Sequence, residues 1–231
     1  MPVTLDSLRD EYAAAAEQMA GRALDVLAGG GGTVAFPDPL SRAELAAVRV
    51  LGPDLFAPAL FAVPPLGDAA LGPGPALAVA QSWQAFPPEG GGDVVAGWHD
   101  WATGQLAARA GIALTLPIPE GPPTLEAWKQ WSPAMARLAP LALPSLDGSL
   151  HEMVRREPLS LARAAVRAML RRDYRTAAKL ARWLAWLHGA GVPVPVETGS
   201  LLVRLRQVGG PGARTTLDLT LAERLLARGE R

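Results

Sequence analysis

Residues 155–188 read RREPLSLARAAVRAMLRRDYRTAAKLARWLAWLH, and this stretch decides both the fold class and the functional hypothesis. Its apolar residues recur every three or four positions, which is the period of an amphipathic helix. Pro158 suits the first turn of such a helix, and Gly189 and Gly191 are residues that commonly end one. We therefore predict a mainly α-helical protein whose C-terminal half is a helical bundle, with a smaller mixed α/β lobe at the N-terminus.

If residues 159–188 form one continuous helix, its basic side chains share one face. A rotation of about 100° per residue puts residues four apart on neighbouring positions of a single ridge. The ridge consists of Arg163, Arg167, Arg171, Arg175 and Lys179. Arg172, Arg182 and Trp186 fall in the same sector of the helix. We predict these eight residues as a nucleic-acid-binding face, because arginine forks match phosphate oxygens and tryptophan can stack on unpaired bases.

The same stretch also permits a helical hairpin. A turn at Arg172 and Asp173 would divide it into two helices, and the Asp173 carboxylate would then cap the second helix. The sequence leaves the choice between one helix and a hairpin open.

The charge distribution singles out the same stretch. Residues 1–120 hold 13 acidic and 5 basic side chains, residues 121–231 hold 9 acidic and 17 basic ones, and the total is neutral. Nine basic and two acidic residues lie between Arg155 and Arg182. Arginine outnumbers lysine 20 to 2, a bias that a GC-rich genome explains. The clustering of the arginines therefore carries the signal, and it predicts either a polyanionic partner or an internal dock on acidic residues.

The acidic and basic halves also suggest two domains, an acidic lobe over residues 1–120 and a basic helical lobe over 121–231. The proline-rich segment 117–123 marks the boundary. In the first lobe we predict a long helix over residues 4–28 and a capping box at Ser41 and Glu44. Three short segments read as strands there: residues 33–36, 55–63 and 112–116. A second capping box is predicted at Ser149 and Glu152.

Several classes of function are excluded or disfavoured by what the sequence lacks. There is no cysteine, which excludes disulfides and thiolate metal sites. No stretch of about 20 apolar residues predicts a membrane span, and the N-terminus does not resemble a signal peptide, so we expect a cytoplasmic protein. No zinc, nucleotide or nucleophile signature occurs. We accordingly predict neither a metal nor a cofactor.

Three functional hypotheses remain. The first is a non-enzymatic protein that binds DNA or RNA through a basic helical face at residues 155–186. The second is a protein–protein adaptor or homodimer, in which an acidic lobe meets a basic lobe. The third is an enzyme with its site in a cleft between the lobes, near His99 or His151, because histidine can transfer protons. The seven tryptophans, which include three pairs spaced by three, are typical of core packing, with stacking platforms or an interface as the alternatives.

Overall fold

The computed structural model describes residues 5–62, 71–88, 93–114, 116, 119, 121, 128–210 and 212–229. The side chains of residue 5 and residues 128–130 are outside this description. Within these ranges the regular structure is helical. The α-helices in chain order are α1 (Leu5–Ala28), α2 (Arg42–Leu51), α3 (Ala57–Leu60), α4 (Pro73–Ala85), α5 (Val94–Arg109), α6 (Trp128–Arg137), α7 (Ser149–Arg156), α8 (Pro158–Leu170), α9 (Tyr174–Gly189), α10 (Thr198–Val208) and α11 (Ala213–Gly229). Short 3-10 helices occur at Gly52–Leu55 and Ala139–Leu141.

The chain divides into two compact units. The first consists of Met1–Gly92 and His99–Ile118, and the second of Asp93–Trp98 and Pro119–Arg231. In the first unit α2 packs against α1 and α4, and α1 also contacts α3. Most of the predicted boundary segment 117–123 lies outside the described residues, so the division into lobes at residue 120 stays a prediction.

In the second unit α9 is the central helix. It packs against α6, α8, α10 and α11. Its sequence explains this position, because residues 177–187 (AAKLARWLAWL) are apolar on nearly every side of the helix, the pattern of a buried helix. The predicted helical bundle of the C-terminal half is confirmed.

The prediction of a mixed α/β N-terminal lobe is wrong, because none of the described residues forms a strand. Residues 33–36 are irregular, as are the described residues 112–114. Residues 55–62 are largely helical, because Pro58 stands in the first turn of α3. A missing N–H costs nothing in a first turn, where the backbone donors have no partner within the helix. An alternating apolar pattern needs a neighbouring strand before it can form a sheet, and these segments have none.

The two predicted capping boxes had different outcomes. At the start of α2 the Ser41 hydroxyl accepts the Glu44 N–H at 3.2 Å, and the Glu44 carboxylate accepts the Ser41 N–H at 3.0 Å. At α7 the box is wrong, because Gly148 is the N-cap and Ser149 already belongs to the first turn. No helix within the described ranges is long and apolar enough to cross a membrane.

Candidate nucleic-acid interface

The stretch 158–189 is a hairpin of two helices, so the one-helix interpretation is wrong and the turn alternative is confirmed. α8 ends at Leu170, and α9 begins at Tyr174. The N–H of Arg172 donates to the Met169 carbonyl, and that of Asp173 donates to the Ala168 carbonyl, both at 3.0 Å. These two bonds are the Schellman pattern that closes a helix C-terminus. The Asp173 carboxylate accepts the Thr176 N–H at 3.2 Å and thereby caps α9.

The hairpin exposes most of the predicted basic residues. The side chains of Arg163, Arg171, Arg172 and Arg175 are exposed, whereas those of Arg167 and Lys179 are half-buried. We call these six residues the hairpin surface. Arg163, Arg171 and Arg172 form no ion pair with any residue that the structure describes.

Two of the eight predicted residues lie in the core instead. Arg182 is 0% exposed and Trp186 is 6% exposed. Both were predicted on the basic face because a constant rotation of about 100° per residue was assumed over one continuous helix. The turn at residues 171–173 interrupts that rotation. Their membership of the exposed face is therefore corrected. The apolar surroundings of Arg182 in ARWLAWL were the signal in the sequence that this part of α9 is buried.

The core position of these residues has a physical cause in segment 140–143, which consists of the end of the 3-10 helix Ala139–Leu141 and the two residues after it. Its residues are buried, and buried carbonyl groups need donors when no helix or sheet supplies them. Arg182 donates to the carbonyls of Pro140 and Ala142, at 3.4 and 3.3 Å. The Trp186 indole N–H donates to the Leu143 carbonyl at 3.3 Å. His151 Nε2 donates to the Leu141 carbonyl at 3.0 Å. Side chains therefore satisfy four successive carbonyls.

The charge of Arg182 is balanced inside the same core. Its guanidinium lies 3.3 Å from the Asp218 carboxylate of α11, whose side chain is only 8% exposed. A charged group in a dry environment is tolerated only when it is paired and hydrogen-bonded, and Arg182 meets both conditions. Its role in the structure is to join α9, α11 and the segment 140–143.

His151 is enclosed by the same cluster. Its ring centroid lies 5.7 Å from that of Trp183 and 5.1 Å from that of Trp186. Nδ1 is buried and has no hydrogen-bond partner among the described residues. Burial lowers the pKa of His151, against the opposing effects of the Leu141 carbonyl and of Asp147. Asp147 itself binds Arg155 through two hydrogen bonds of 3.0 and 2.8 Å. The His151 imidazole is consequently part of the core packing, and neither of its faces is open to a substrate.

The lowered pKa of His151 predicts a loss of stability in mild acid. The unfolded chain binds a proton near the ordinary value of 6.5, whereas the folded chain resists it. The contribution of the neutral ring is therefore complete above about pH 6.5 and is lost as the pH falls below it. We expect the free energy of unfolding to decrease between about pH 6.5 and 5, and to decrease less in His151→Gln. Urea unfolding across this range measures the difference. Parallel curves for the two proteins would contradict the prediction.

His99 belongs to the first unit and lies in a different polar cluster. Its Nδ1 is 4.0 Å from Asp100 Oδ1, and both Asp100 oxygens accept from the Arg49 guanidinium. Burial alone would raise the pKa of Asp100, but attraction to His99 and Arg49 lowers it. His99 Nε2 is buried and finds no hydrogen-bond partner in the described part of the chain. The Asp100 charge thus forms a buried ion pair with Arg49.

Most of the tryptophans pack in the two cores. Five rings are buried, with exposures of 8% or less: Trp98, Trp101, Trp131, Trp183 and Trp186. Trp83 is half-buried, and the side chain of Trp128 is outside the described set. The Trp186 ring is also covered by the Arg155 guanidinium, which lies 5.0 Å from its centroid. Core packing is therefore the observed role of these five rings, and none is an open stacking platform.

An open groove of about 510 Å³ runs beside the hairpin turn. It is formed by residues of α6, α8, α9 and the turn between the last two helices: Ser132, Pro133, Ala164, Arg167, Ala168, Arg171, Asp173, Thr176 and Leu180. Two arginines of the hairpin surface therefore face a concave space. Ser132 and Thr176 could not be assigned to this groove from the sequence, because their approach to the arginines depends on how the helices pack.

No protein-family model matches this chain, and no curated protein or solved structure matches it either.

Proposed function

We propose that this protein binds a polyanion, DNA or RNA, and that the hairpin surface makes the contact without catalysing a reaction. One observation carries the proposal. Between Pro158 and Gly189 the chain has a single acidic residue, Asp173, and its carboxylate is engaged in capping α9. The hairpin thus carries seven basic residues against one acidic residue between these two positions.

The geometry of these arginines favours phosphate as their partner. A guanidinium donates two parallel hydrogen bonds to phosphate oxygens, and such charge-assisted bonds are stronger than neutral ones. Arg163, Arg167 and Arg171 follow one another at intervals of four residues along α8, which corresponds to about 6 Å of helix rise per step. Repulsion between such neighbours costs a few tenths of a kcal/mol per pair, and a bound polyanion would offset it.

Binding to nucleic acid should be steeply salt-dependent. We expect micromolar or tighter affinity for a fluorescein-labelled duplex or single strand at low salt. With about five phosphate contacts, the slope of log affinity against log salt should be near −4.5 for a duplex and near −3.5 for a single strand, which is about a 500-fold or about a 130-fold loss between about 50 and 200 mM. Fluorescence anisotropy in a NaCl series measures it. Absence of binding at low salt would refute the proposed function.

Single substitutions can assign this binding to the hairpin surface. Arg163→Gln and Arg171→Gln should each weaken binding about tenfold at low salt and reduce the slope by about 0.9. Arg204→Gln on α10 is the matched control, because Arg204 is exposed but lies outside the hairpin. An equal loss in all three variants would show that net charge, and not the hairpin surface, controls the affinity.

A second candidate function, a protein–protein adaptor, is favoured by a different feature of α8. Its outward face carries three exposed apolar residues, Leu159, Val166 and Leu170, which are 48%, 42% and 81% exposed. The sugar–phosphate backbone, which the arginines of the hairpin surface would contact, is charged and would leave such an aliphatic stripe uncovered. Because Arg163 stands among these residues, an acidic protein surface fits better than a second α8 helix. That surface could belong to another protein or to the acidic half of a second copy.

Sedimentation velocity at two salt concentrations separates the two candidates. A dimer that dissociates at high salt, in a protein that binds no nucleic acid, would favour the adaptor. Leu170→Ser should weaken that dimer while leaving nucleic-acid binding unchanged. A monomer at both salt concentrations would remove self-association from consideration.

A further inference from the structure

The groove beside the hairpin turn suits a phosphate and a sugar better than a base. Two guanidinium groups, from Arg167 and Arg171, line it together with the hydroxyl-bearing residues Ser132 and Thr176. The remaining lining consists of four apolar residues and of Asp173, whose carboxylate accepts the Thr176 N–H as the cap of α9, and no aromatic residue lines the groove among the residues described. Sequence-tolerant binding of unpaired bases depends on aromatic stacking, which this lining does not offer.

Arg172 stands between two lining residues of the groove in an unfavourable backbone conformation. Its φ is +59°, in the left-handed region, where a side chain costs about 1–2 kcal/mol. Three other described helices of this chain end in the same hydrogen-bond pattern, and there Gly30, Gly111 and Gly191 occupy the corresponding position, with φ of +100°, +89° and +73°. Glycine is the residue that this position normally selects.

The fold alone therefore does not explain why arginine occupies this position. The Arg172 side chain is exposed, and no ion pair with a described residue offsets this cost. Strain that is retained without local compensation is typical of functional positions. Arg171 and Arg175 are exposed on either side of it, which places three guanidinium groups around one turn.

We propose that the groove and Arg172 together form a site for the sugar–phosphate backbone of nucleic acid, which holds phosphates without reading bases. This inference rests on the proposed function and names its ligand chemistry. Arg167 and Arg171 contact phosphate oxygens from within the groove, and Arg172 fixes the adjoining phosphate at the turn. Recognition at this site is accordingly independent of base sequence.

Arg172→Gly provides the central test, because it should improve folding while it weakens binding. We expect the Tm to rise by about 2–4 °C as the left-handed strain is relieved. Affinity at low salt should fall about tenfold, and the salt slope should decrease by about 0.9. Arg172→Lys retains the charge and the strained backbone, so its Tm should match the wild type and its affinity should stay within about threefold.

The ligand class is tested with three oligonucleotides of equal length: oligo-dT, oligo-dA and an abasic strand. Their affinities should agree within about threefold, since stacking is worth at least about 1 kcal/mol per base where it occurs. Preference for either base-bearing strand by about thirtyfold or more would overturn the inference. Unchanged affinity in Arg172→Gly would also overturn it, while losses in Arg163→Gln and Arg171→Gln would leave the proposed function standing. If the wild-type protein binds neither these three strands nor a duplex at low salt, both fail.

Discussion

Asp218→Ala is expected to lower the free energy of unfolding by about 3–5 kcal/mol, because it leaves the Arg182 charge unpaired in the core. Arg182 is 0% exposed, so water cannot replace the lost carboxylate. The hydrogen bonds from the guanidinium to the carbonyls of Pro140 and Ala142 are long, at 3.4 and 3.3 Å, and a neutral carbonyl does not replace a carboxylate charge. Urea unfolding followed by circular dichroism at neutral pH measures the change.

A surface ion pair on the same helix supplies the matched control. Glu223 of α11 binds Arg206 through two hydrogen bonds of 2.8 Å, but both side chains are over a third exposed. Glu223→Ala should therefore cost about 1 kcal/mol or less. Asp218→Asn keeps a hydrogen-bond acceptor without the charge, and it should fall between the two. If Asp218→Ala and Glu223→Ala have equal effects, the burial of Arg182 does not make its pairing critical.

Gly52→Ala is expected to destabilise the first unit by about 2–5 kcal/mol through a clash and an unfavourable backbone conformation. Gly52 follows α2 with φ of +45°, a region that side chains rarely adopt. A Cβ atom there would lie 2.3 Å from His99 Cε1 and 2.6 Å from Thr103 Oγ1. The imidazole of His99 would have to move, and this ring lies beside Asp100, which forms an ion pair with Arg49.

Gly111→Ala separates the two contributions. Gly111 also has positive φ, +89°, but an added Cβ would meet no atom within 4 Å. Its cost should be the backbone penalty alone, about 1–2 kcal/mol. In Gly52→Ala combined with His99→Ala, the clash should be partly relieved, so the double variant should be more stable than the sum of the two single effects implies. Equal destabilisation by Gly52→Ala and Gly111→Ala would show that the imidazole of His99 moves aside without lowering the free energy of unfolding.

The Asp218→Ala prediction, through Arg182, and the proposed interface concern different parts of the basic stretch. Arg182 and Trp186 hold the second core together, whereas the exposed arginines of the hairpin surface contribute little to it. Substitutions on the hairpin surface should accordingly change binding without loss of folding, as Arg163→Gln and Arg204→Gln can show side by side. The sequence presented these residues as one group because they share a spacing, although they have different roles.

Local features of this chain followed from the sequence alone. The helical period, the Ser41–Glu44 capping box and the Asp173 cap each depend on residues within about four positions of one another, so a short window contains the interactions that form them. The positive charge between residues 155 and 182 is likewise a property of the sequence. Segments 33–36 and 55–62 were harder to predict, because a strand exists only when a partner strand pairs with it.

Exposure was decided by the tertiary structure. Four helices pack against α9. Because of this packing, the side of α9 that carries Arg182 is buried in the core. Arg182 is held there by Asp218, 36 residues away, and by carbonyls about 40 residues away. Such partners come together only when the chain folds. The sequence determined where the positive charge lies along the chain, and packing determined which of those charges remain in contact with solvent.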